Sequence, residues 1–474
     1  MVVATPHFPI KIRGSAWAPP RYSSDKGEVS ALHRPTPQQR ECDGPHRNGG
    51  RSTVPAGPAG GTVLSVQVRT EFSMPRSNEE HTGARIADYR KLRQLTQTAL
   101  AQRSFLSRGT IAKVERGLAP ATPSVVAAVA RVLQVDIAVL NGQPYMSELQ
   151  QDHLDHLISP LSEALDMYDL GPDPHITPRP IGQVESDVRA LCDGASATEY
   201  KDIGRKLPGL IGELTTTVSL LSPGEDYRRA ASSLSWCYWA AYEFAYRVGY
   251  HDLASIALER MGWMAEQAQD PLLLAIRLNK RSSMLLRRGN NQMSLQVITR
   301  GHRLIDQVER PDSVEALAVA GSLHLASAIA AAQARDAEAV AGFMGLARET
   351  AKKIGRDVPD VYWSSFGLTN VQHFDVATNV ELGELGEAVK LSKKLHFPET
   401  HPRMRIGRYY IEMARAYAQM GKTEPAERFL LRARKAAPQQ ARYHPLMRET
   451  IGVLVRRQRR APESLSSLAA WVGM

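Results

Sequence analysis

The sequence has few cysteines and lacks the motifs of common catalytic sites. Its three cysteines, Cys42, Cys192 and Cys237, lie far apart and follow no metal-ligand or redox spacing. A zinc site and a disulfide scaffold are therefore not expected, and a reducing compartment fits. No phosphate-binding loop, Gly-x-Ser-x-Gly sequence or paired catalytic signature occurs in the 474 residues. We expect no enzyme, no metal ion and no other cofactor.

Targeting and membrane segments are missing as well. The N-terminus has no apolar stretch of the length that a secretory signal needs. The most apolar run, 316–334, consists mostly of alanine and contains His324, which is typical of a closely packed soluble helix and not of a membrane span. These features predict a cytoplasmic protein without membrane contact.

The first 78 residues are rich in Pro, Gly, Arg and Ser and have no sustained hydrophobic periodicity. This composition predicts a disordered extension over residues 1–78. Met74 offers an alternative start of translation, so it stays open whether residues 1–73 belong to the native protein.

Positive charge is concentrated in one short segment. The net charge of the chain is +10, and residues 83–145 hold nine Lys or Arg against three Asp or Glu, a net +6. Such clustering is typical of a protein that binds a polyanion, although a solvated basic face without a partner remains an alternative.

The same segment predicts a small α domain over residues 79–145. Thr96, Ser107, Thr122 and Asp136 are capping residue types that each precede a helical apolar pattern, and Pro123 stands at a first helical position. With the helix that precedes Thr96, this gives five short helices.

Paired helices and no strand pattern follow over residues 146–460, and one more helix is expected over 461–474. The best pair, 408–438, is similar to a tetratricopeptide repeat in the spacing of Tyr410, Ala414, Tyr417, Gly421, Ala426, Leu430, Ala433 and Pro438. Matched small residues recur at 254, 294, 339, 388 and 426, wider apart than the motif's repeat of about 34 residues. The fold class expected is therefore all-α, with the small domain followed by a degenerate tetratricopeptide-like α-solenoid.

The segment from Gly83 to about Leu140 resembles the helix-turn-helix of phage repressors and Cro, the XRE family, in "LTQ", "S-x-x-T-I" and "ERG". The resemblance implies a five-helix lambda-repressor-like domain whose second motif helix, Ser107 to Arg116, enters the major groove of double-stranded DNA. It further implies base contacts from the start of that helix and phosphate contacts from Gln97 and Arg116. The DNA-binding residues implied are Gln97, Ser107, Arg108, Gly109, Thr110, Ala112, Lys113 and Arg116.

Three departures from the family pattern leave room for a domain that folds but binds DNA poorly. Phe105 occupies the turn position that usually holds Gly, Ser104 replaces an apolar residue, and Gly109 lies inside the reading helix. A left-handed Phe and a helical Gly each cost about 1 kcal/mol.

Over residues 83–455 the chain is similar to actinomycete regulators, which carry phrases like "FGLTNV" and "RYHPL"; Leu368 stands where Pro is expected. Peptide-sensing regulators of Gram-positive bacteria are a second resemblance. Both imply a transcriptional regulator, and the closer, actinomycete one defines no common ligand.

Candidate ligand residues lie on the first helix of each pair, which lines the inner wall of such a solenoid. Amides and arginines there could hold the backbone and carboxylate of a peptide. Core packing is the alternative, above all for the aromatic run 236–246. The candidates are Trp239, Glu243, Asn279, Asn370, His373, Arg408 and Arg415.

The function expected is a sequence-specific regulator that forms homodimers through its repeat region, with reading helices about 34 Å apart. A signalling peptide, a small molecule or a protein partner would occupy the repeat groove. Two alternatives remain, a protein-interaction scaffold with a vestigial helix-turn-helix and the antitoxin of a toxin pair.

Overall fold

The computed structural model describes residues 81–458 and 462–474, so the predicted N-terminal extension lies outside the described residues. The fold-class prediction is confirmed, because this part of the chain is helical, with one isolated β-bridge between Val358 and Phe366. A helix-turn-helix domain precedes a long helical repeat region. The helices are α1 Thr82–Leu92, α2 Gln97–Arg103, α3 Arg108–Glu115, α4 Pro123–Leu133, α5 Ile137–Asn141, α6 Met146–Gln151, α7 Ile158–Asp166, α8 Ile181–Ala197, α9 Tyr200–Leu220, α10 Glu225–Val248, α11 His251–Gln267, α12 Pro271–Arg287, α13 Asn291–Ile305, α14 Val314–Gln333, α15 Ala337–Ile354, α16 Leu368–Leu382, α17 Leu385–Ser392, α18 Arg403–Gln419, α19 Thr423–Ala436, α20 Pro438–Tyr443, α21 Pro445–Arg457 and α22 Glu463–Trp471.

Local capping sets the helix boundaries of the first five helices. The side chains of Thr96, Ser107, Thr122 and Asp136 each accept a hydrogen bond from a backbone N–H in the first turn of α2, α3, α4 and α5. These bonds satisfy donors that a helix start leaves without intrahelical partners. The five helices then enclose one apolar core, which includes Ile86, Leu100, Ile111, Val114, Val129, Leu133 and Leu140.

Five antiparallel helix pairs build the repeat region: α10 with α11, α12 with α13, α14 with α15, α16 with α17, and α18 with α19. Small residues on the second helices allow the close approach, since Ala254, Ala388 and Ala426 are completely buried. Ser294 is buried too, and its hydroxyl donates to the Ser282 hydroxyl of the neighbouring helix at 3.0 Å. Four of the five matched small positions therefore lie at contacts within pairs, and the fifth, Ala339, is half-buried.

Helix α14 is, within the described residues, the one helix long and apolar enough to cross a membrane. Here it packs against α13, α15 and α16 in the middle of the repeat region. The core helix of a soluble protein meets the same criterion of length and composition.

The helix-turn-helix domain and the repeat region form one compact unit. Three long-range contacts fasten the segment after α3 to α21: Arg456 Nε donates to Gly117 O at 3.0 Å, Arg457 Nη2 to Leu118 O at 2.9 Å, and Ala121 N to Glu449 Oε1 at 3.1 Å. In addition, Arg131 of α4 donates to Gly289 O, between α12 and α13, at 3.0 Å. The small domain is thus held by α21 and by the turn between α12 and α13.

Candidate functional site

Helix α3 turns one face into the domain core and the other to solvent. Ile111 and Val114 are each 1% exposed, whereas Ser107, Arg108, Gly109, Lys113 and Arg116 are exposed and Thr110 and Ala112 are half-buried. The outer face of the helix is therefore free of the repeat region. This is the presentation that a helix needs to enter a major groove.

Gln97 has a role within the domain that sequence reasoning did not find. It is half-buried, and its amide donates to Glu115 Oε2 at 2.8 Å. Arg90 reaches the same carboxylate, with Nε 2.6 Å from Oε1 and Nη2 3.0 Å from Oε2. The Glu of the "ERG" phrase thus joins α1, α2 and α3 from the inside of the motif.

Not all of the basic residues contribute to the exposed charge. Arg90 is neutralised by the ion pair with Glu115. Arg93 donates to Leu133 O and Arg131 to Gly289 O, but these carbonyls are uncharged and both arginines are exposed. Arg103, Arg108, Lys113 and Arg116 are exposed too and make no ion pair within the described part of the chain. Three of these exposed cations, Arg108, Lys113 and Arg116, lie on α3 or at its end.

Phe105 adopts the left-handed conformation that its turn position requires, with φ 55°, and its side chain is 96% exposed. The buried Ser104 beside it compensates for its polarity by donating its hydroxyl to Leu100 O at 2.7 Å. The left-handed turn therefore forms without Gly, at the conformational cost expected for a residue with a Cβ.

Replacing Phe105 with Gly is expected to stabilise the helix-turn-helix by about 1 kcal/mol, because the left-handed strain disappears and no buried contact is lost. Amide hydrogen exchange in α2 and α3 measures this local free energy of opening. Phe105→Ala is the matched control, since it removes the ring and keeps the strain. Equal protection in the two variants would contradict the explanation.

A central cavity of about 310 Å³ lies between the two parts of the chain. Its walls are the first helices of the five pairs, α10, α12, α14, α16 and α18, together with α20 and the start of α21. Its roof belongs to the helix-turn-helix domain, through Thr82, Ala121, Pro123, Val126, Ile137 and Asn141. A ligand in this cavity would contact the repeat region and the small domain at once.

Five of the seven candidate ligand residues line the central cavity, namely Glu243, Asn279, Asn370, His373 and Arg408. The other two do not. Trp239 is completely buried beside Trp236 and Trp363, because the segment around Val361–Trp363 covers this face of α10. Arg415 is 1% exposed and forms an ion pair with Glu381 of α16 at 2.6 Å. The expectation that these two line the inner wall is therefore corrected, since both are packing residues.

Two carboxylates, Glu243 and Glu412, form the ion pairs with cations that line the cavity. Glu243 pairs with Lys280 at 2.7 Å and with Arg247 at 3.0 Å. Burial alone would raise the pKa of Glu243, but these two cations outweigh it and hold the pKa at about 2. Glu412 pairs with Arg408 and lies 3.3 Å from His373 Nε2, and its pKa is likewise well below the usual range despite burial.

Sequence reasoning missed Arg405 and Gln440, which also line the cavity. Gln440 is 2% exposed, and neither polar atom of its amide has a hydrogen-bond partner among the described residues. Arg405 is two residues after the start of α18, outside the matched part of the repeat motif. The tetratricopeptide-like motif indicates which residues form helix–helix contacts, and it does not predict that Arg405 or Gln440 lines a cavity.

The phrases "FGLTNV" and "RYHPL" both supply cavity residues. Leu368 is the first residue of α16, a position that also accepts Pro, and Asn370 follows in the cavity wall. In the second phrase, His444 lines the cavity and caps α21 by accepting from Leu446 N. Since α21 also holds the segment after α3, it joins the cavity to the small domain of α1 to α5 directly.

Metal-ligating clusters are missing from the described residues, where no group of three or more His, Cys, Asp or Glu side chains could hold an ion. Cys192 and Cys237 are buried free thiols.

The exposed helix α3, capped by Ser107 and locked by Ile111 and Val114, defines a helix-turn-helix DNA-binding domain of the kind found in transcription regulators. A family model described as "Helix-turn-helix" matches residues 86–140. No curated protein matches the chain. Among solved structures, the crystal structure of Bacillus thuringiensis PlcR in complex with the peptide PapR7 and DNA is similar over 74% of this chain and 99% of that chain, with 12% identity and a TM-score of 0.25.

Proposed function

We propose that the protein is a sequence-specific DNA-binding transcriptional regulator of the cytoplasm. The observation that carries the proposal is the exposed outer face of α3, which presents Arg108, Lys113 and Arg116 beside the buried Ile111 and Val114. Arg108 is the first helical residue, where side chains of a reading helix approach base edges. An arginine there can donate two hydrogen bonds to guanine O6 and N7.

The remaining predicted contacts follow the same geometry. Ser107, Gly109, Thr110 and Ala112 lie on or beside the first turns of α3, and Arg116 at its end would contact the phosphate backbone. Gln97, at the first turn of α2, would approach a phosphate through the part of its amide that Glu115 does not engage.

A homodimer is part of the proposal. One helix-turn-helix buries only a small area on DNA, and two half-sites read together give a longer and more selective site. The repeat region would provide the dimer contact. The phrases "FGLTNV" and "RYHPL" support the actinomycete type, and the paired helices support a tetratricopeptide-like repeat.

The repeat region would sense a signal, namely a peptide, a small molecule or a protein partner. Support comes from the central cavity, whose roof is the DNA-binding domain and whose wall includes α21. A ligand that favours one position of α21 over another would shift the DNA-binding domain or the dimer population. The signal then changes operator affinity.

Binding to DNA should weaken steeply with salt, because Lys and Arg side chains that contact phosphates release counterions. We expect the logarithm of the association constant to fall linearly with the logarithm of salt concentration, by about 0.9 for each phosphate contact. Genome-wide capture of DNA fragments by the purified protein supplies the operator, and fluorescence anisotropy at several salt concentrations gives the slope.

A scaffold with a vestigial helix-turn-helix would retain little DNA even at low salt. That outcome, with the protein folded, would contradict the proposed function. Capture repeated with cell extract shows whether an effector changes the set of bound sites.

A further inference from the structure

We propose that the central cavity binds a compact molecule with one anionic group, a carboxylate, sulfonate or phosphate, on an apolar body, and that Arg405 holds the anion. The inference deepens the signal-sensing part of the proposed function and rests on it for its biological role. The binding site itself is argued from the cavity alone.

The cavity has more cations than its carboxylates neutralise. Five cations line it, and three of them, Lys280, Arg247 and Arg408, are paired with Glu243 and Glu412. A fourth, Arg287, donates to Gln143 Oε1 at 2.6 Å. Of the other two lining carboxylates, Glu381 is paired with Arg415, and Glu449 accepts from Ala121 N. Arg405 has no carboxylate within ion-pair distance among the described residues, and its nearest hydrogen bond is a donation from Nη2 to Ser364 O at 3.3 Å. Arg405 is half-buried, and its Nε is buried with no hydrogen-bond partner among the described residues. A guanidinium partly removed from water is stabilised by an anion, so a negative group beside Arg405 would complete the site.

Other polar atoms of the cavity also lack partners. Asn370 is 1% exposed and Gln440 is 2% exposed, yet Asn370 Oδ1 and both polar atoms of the Gln440 amide make no hydrogen bond to any residue that the structure describes. His373 is 2% exposed, and its Nδ1 also has no hydrogen-bond partner among the described residues. Buried polar groups in folded proteins are nearly always hydrogen-bonded. Amide and imidazole groups left over in a cavity are therefore suited to a polar ligand.

The opposite side of the cavity is apolar. Most charged residues come from α10, α12 and α18, with Glu381 from α16 and Glu449 from α21. The apolar lining comes mainly from α14 and α16, through Leu325, Ala326, Ile329, Phe374 and Ala377, and from the roof, through Val126 and Ile137. A ligand with an anionic end and an apolar body satisfies both sides. The volume of about 310 Å³ is at the lower end of the range of about 300–1,000 Å³ for small-molecule pockets, which favours a compact ligand over an extended peptide.

A matched pair of fluorescent probes tests the proposal. 8-Anilinonaphthalene-1-sulfonate carries the anionic group, and N-phenyl-1-naphthylamine is the same molecule without it. We expect the full-length protein to bind the sulfonate at one site, and Arg405→Gln to weaken it at least about tenfold, because hydrogen bonds to charged groups contribute most to such affinity. The affinity for the neutral probe should not change.

Two further variants locate the site. Arg403→Gln removes an exposed charge from the same helix and should leave both affinities as in the wild type. Ala326→Trp keeps every charge but fills the apolar side, and should abolish binding of both probes even if Arg405→Gln does not fold. Circular dichroism verifies the fold of each variant.

Equal affinity of the two probes, no sulfonate binding, or sulfonate binding unaffected by both Arg405→Gln and Ala326→Trp would each overturn the proposal. These titrations contain no DNA. The cavity site can therefore fail while DNA binding stands, and DNA binding can fail while the cavity site stands.

Discussion

Alanine at both Arg108 and Lys113 is expected to abolish specific DNA binding while the fold stays intact. Both side chains are exposed on α3 and make no ion pair within the described residues, so their removal should cost the free protein little stability. On DNA, a bidentate contact from Arg108 to guanine contributes about 1–3 kcal/mol. With the contribution of Lys113 to a base or phosphate, affinity should fall at least about a hundredfold. Anisotropy titrations with the captured operator measure the loss.

The control for this pair removes the same charge elsewhere. Arg403→Ala with Lys435→Ala deletes two exposed cations of α18 and α19 in the repeat region and should leave operator affinity close to that of the wild type. If the Arg108 and Lys113 variant still binds the operator like the wild type, α3 is not the reading helix. A similar loss in the control would indicate a general charge effect instead.

Local features of the chain were readable from the sequence because capping depends on neighbours within a few residues. Ser107 caps α3 and Thr122 caps α4 as predicted, and the small residues of the repeats lie at the predicted helix contacts. The left-handed turn at Phe105 could also be anticipated from the family pattern, since only the backbone of one residue decides it.

Long-range contacts were not readable in the same way. Arg90 counts as free positive charge in the sequence, and only the packing of α1 against α3 shows that Glu115 neutralises it. The expectation that Trp239 and Arg415 face the inner wall came from the repeat motif's spacing of about 34 residues, which is shorter than the spacing in this chain. The repeat motif also has no counterpart of the segment around Trp363 that packs over Trp239. The residues that form the roof of the cavity can be identified only when the relative placement of the small domain and the repeat region is known. No local sequence pattern contains that information.

Removal of the Glu115 carboxylate is expected to destabilise the DNA-binding domain strongly. In Glu115→Ala, Arg90 would lose its partner while its side chain is 13% exposed, and Gln97 would lose an acceptor. Breaking a buried ion pair from one side costs about 3–5 kcal/mol, because the remaining charge is desolvated and unpaired. Hydrogen exchange should therefore speed up throughout α1, α2 and α3, with little change in α10 to α19.

The double variant Arg90→Met with Glu115→Leu distinguishes the effect of an unpaired buried charge from the effect of losing the two side chains' packing. Replacing both charged partners by apolar side chains of similar size removes the unpaired charge, so most of the lost protection should return. DNA affinity should follow protection, because neither residue lies on the exposed face of α3. If Glu115→Ala kept wild-type protection, or if the double variant were no more protected than the single one, the carboxylate would not be what holds the reading helix against α1.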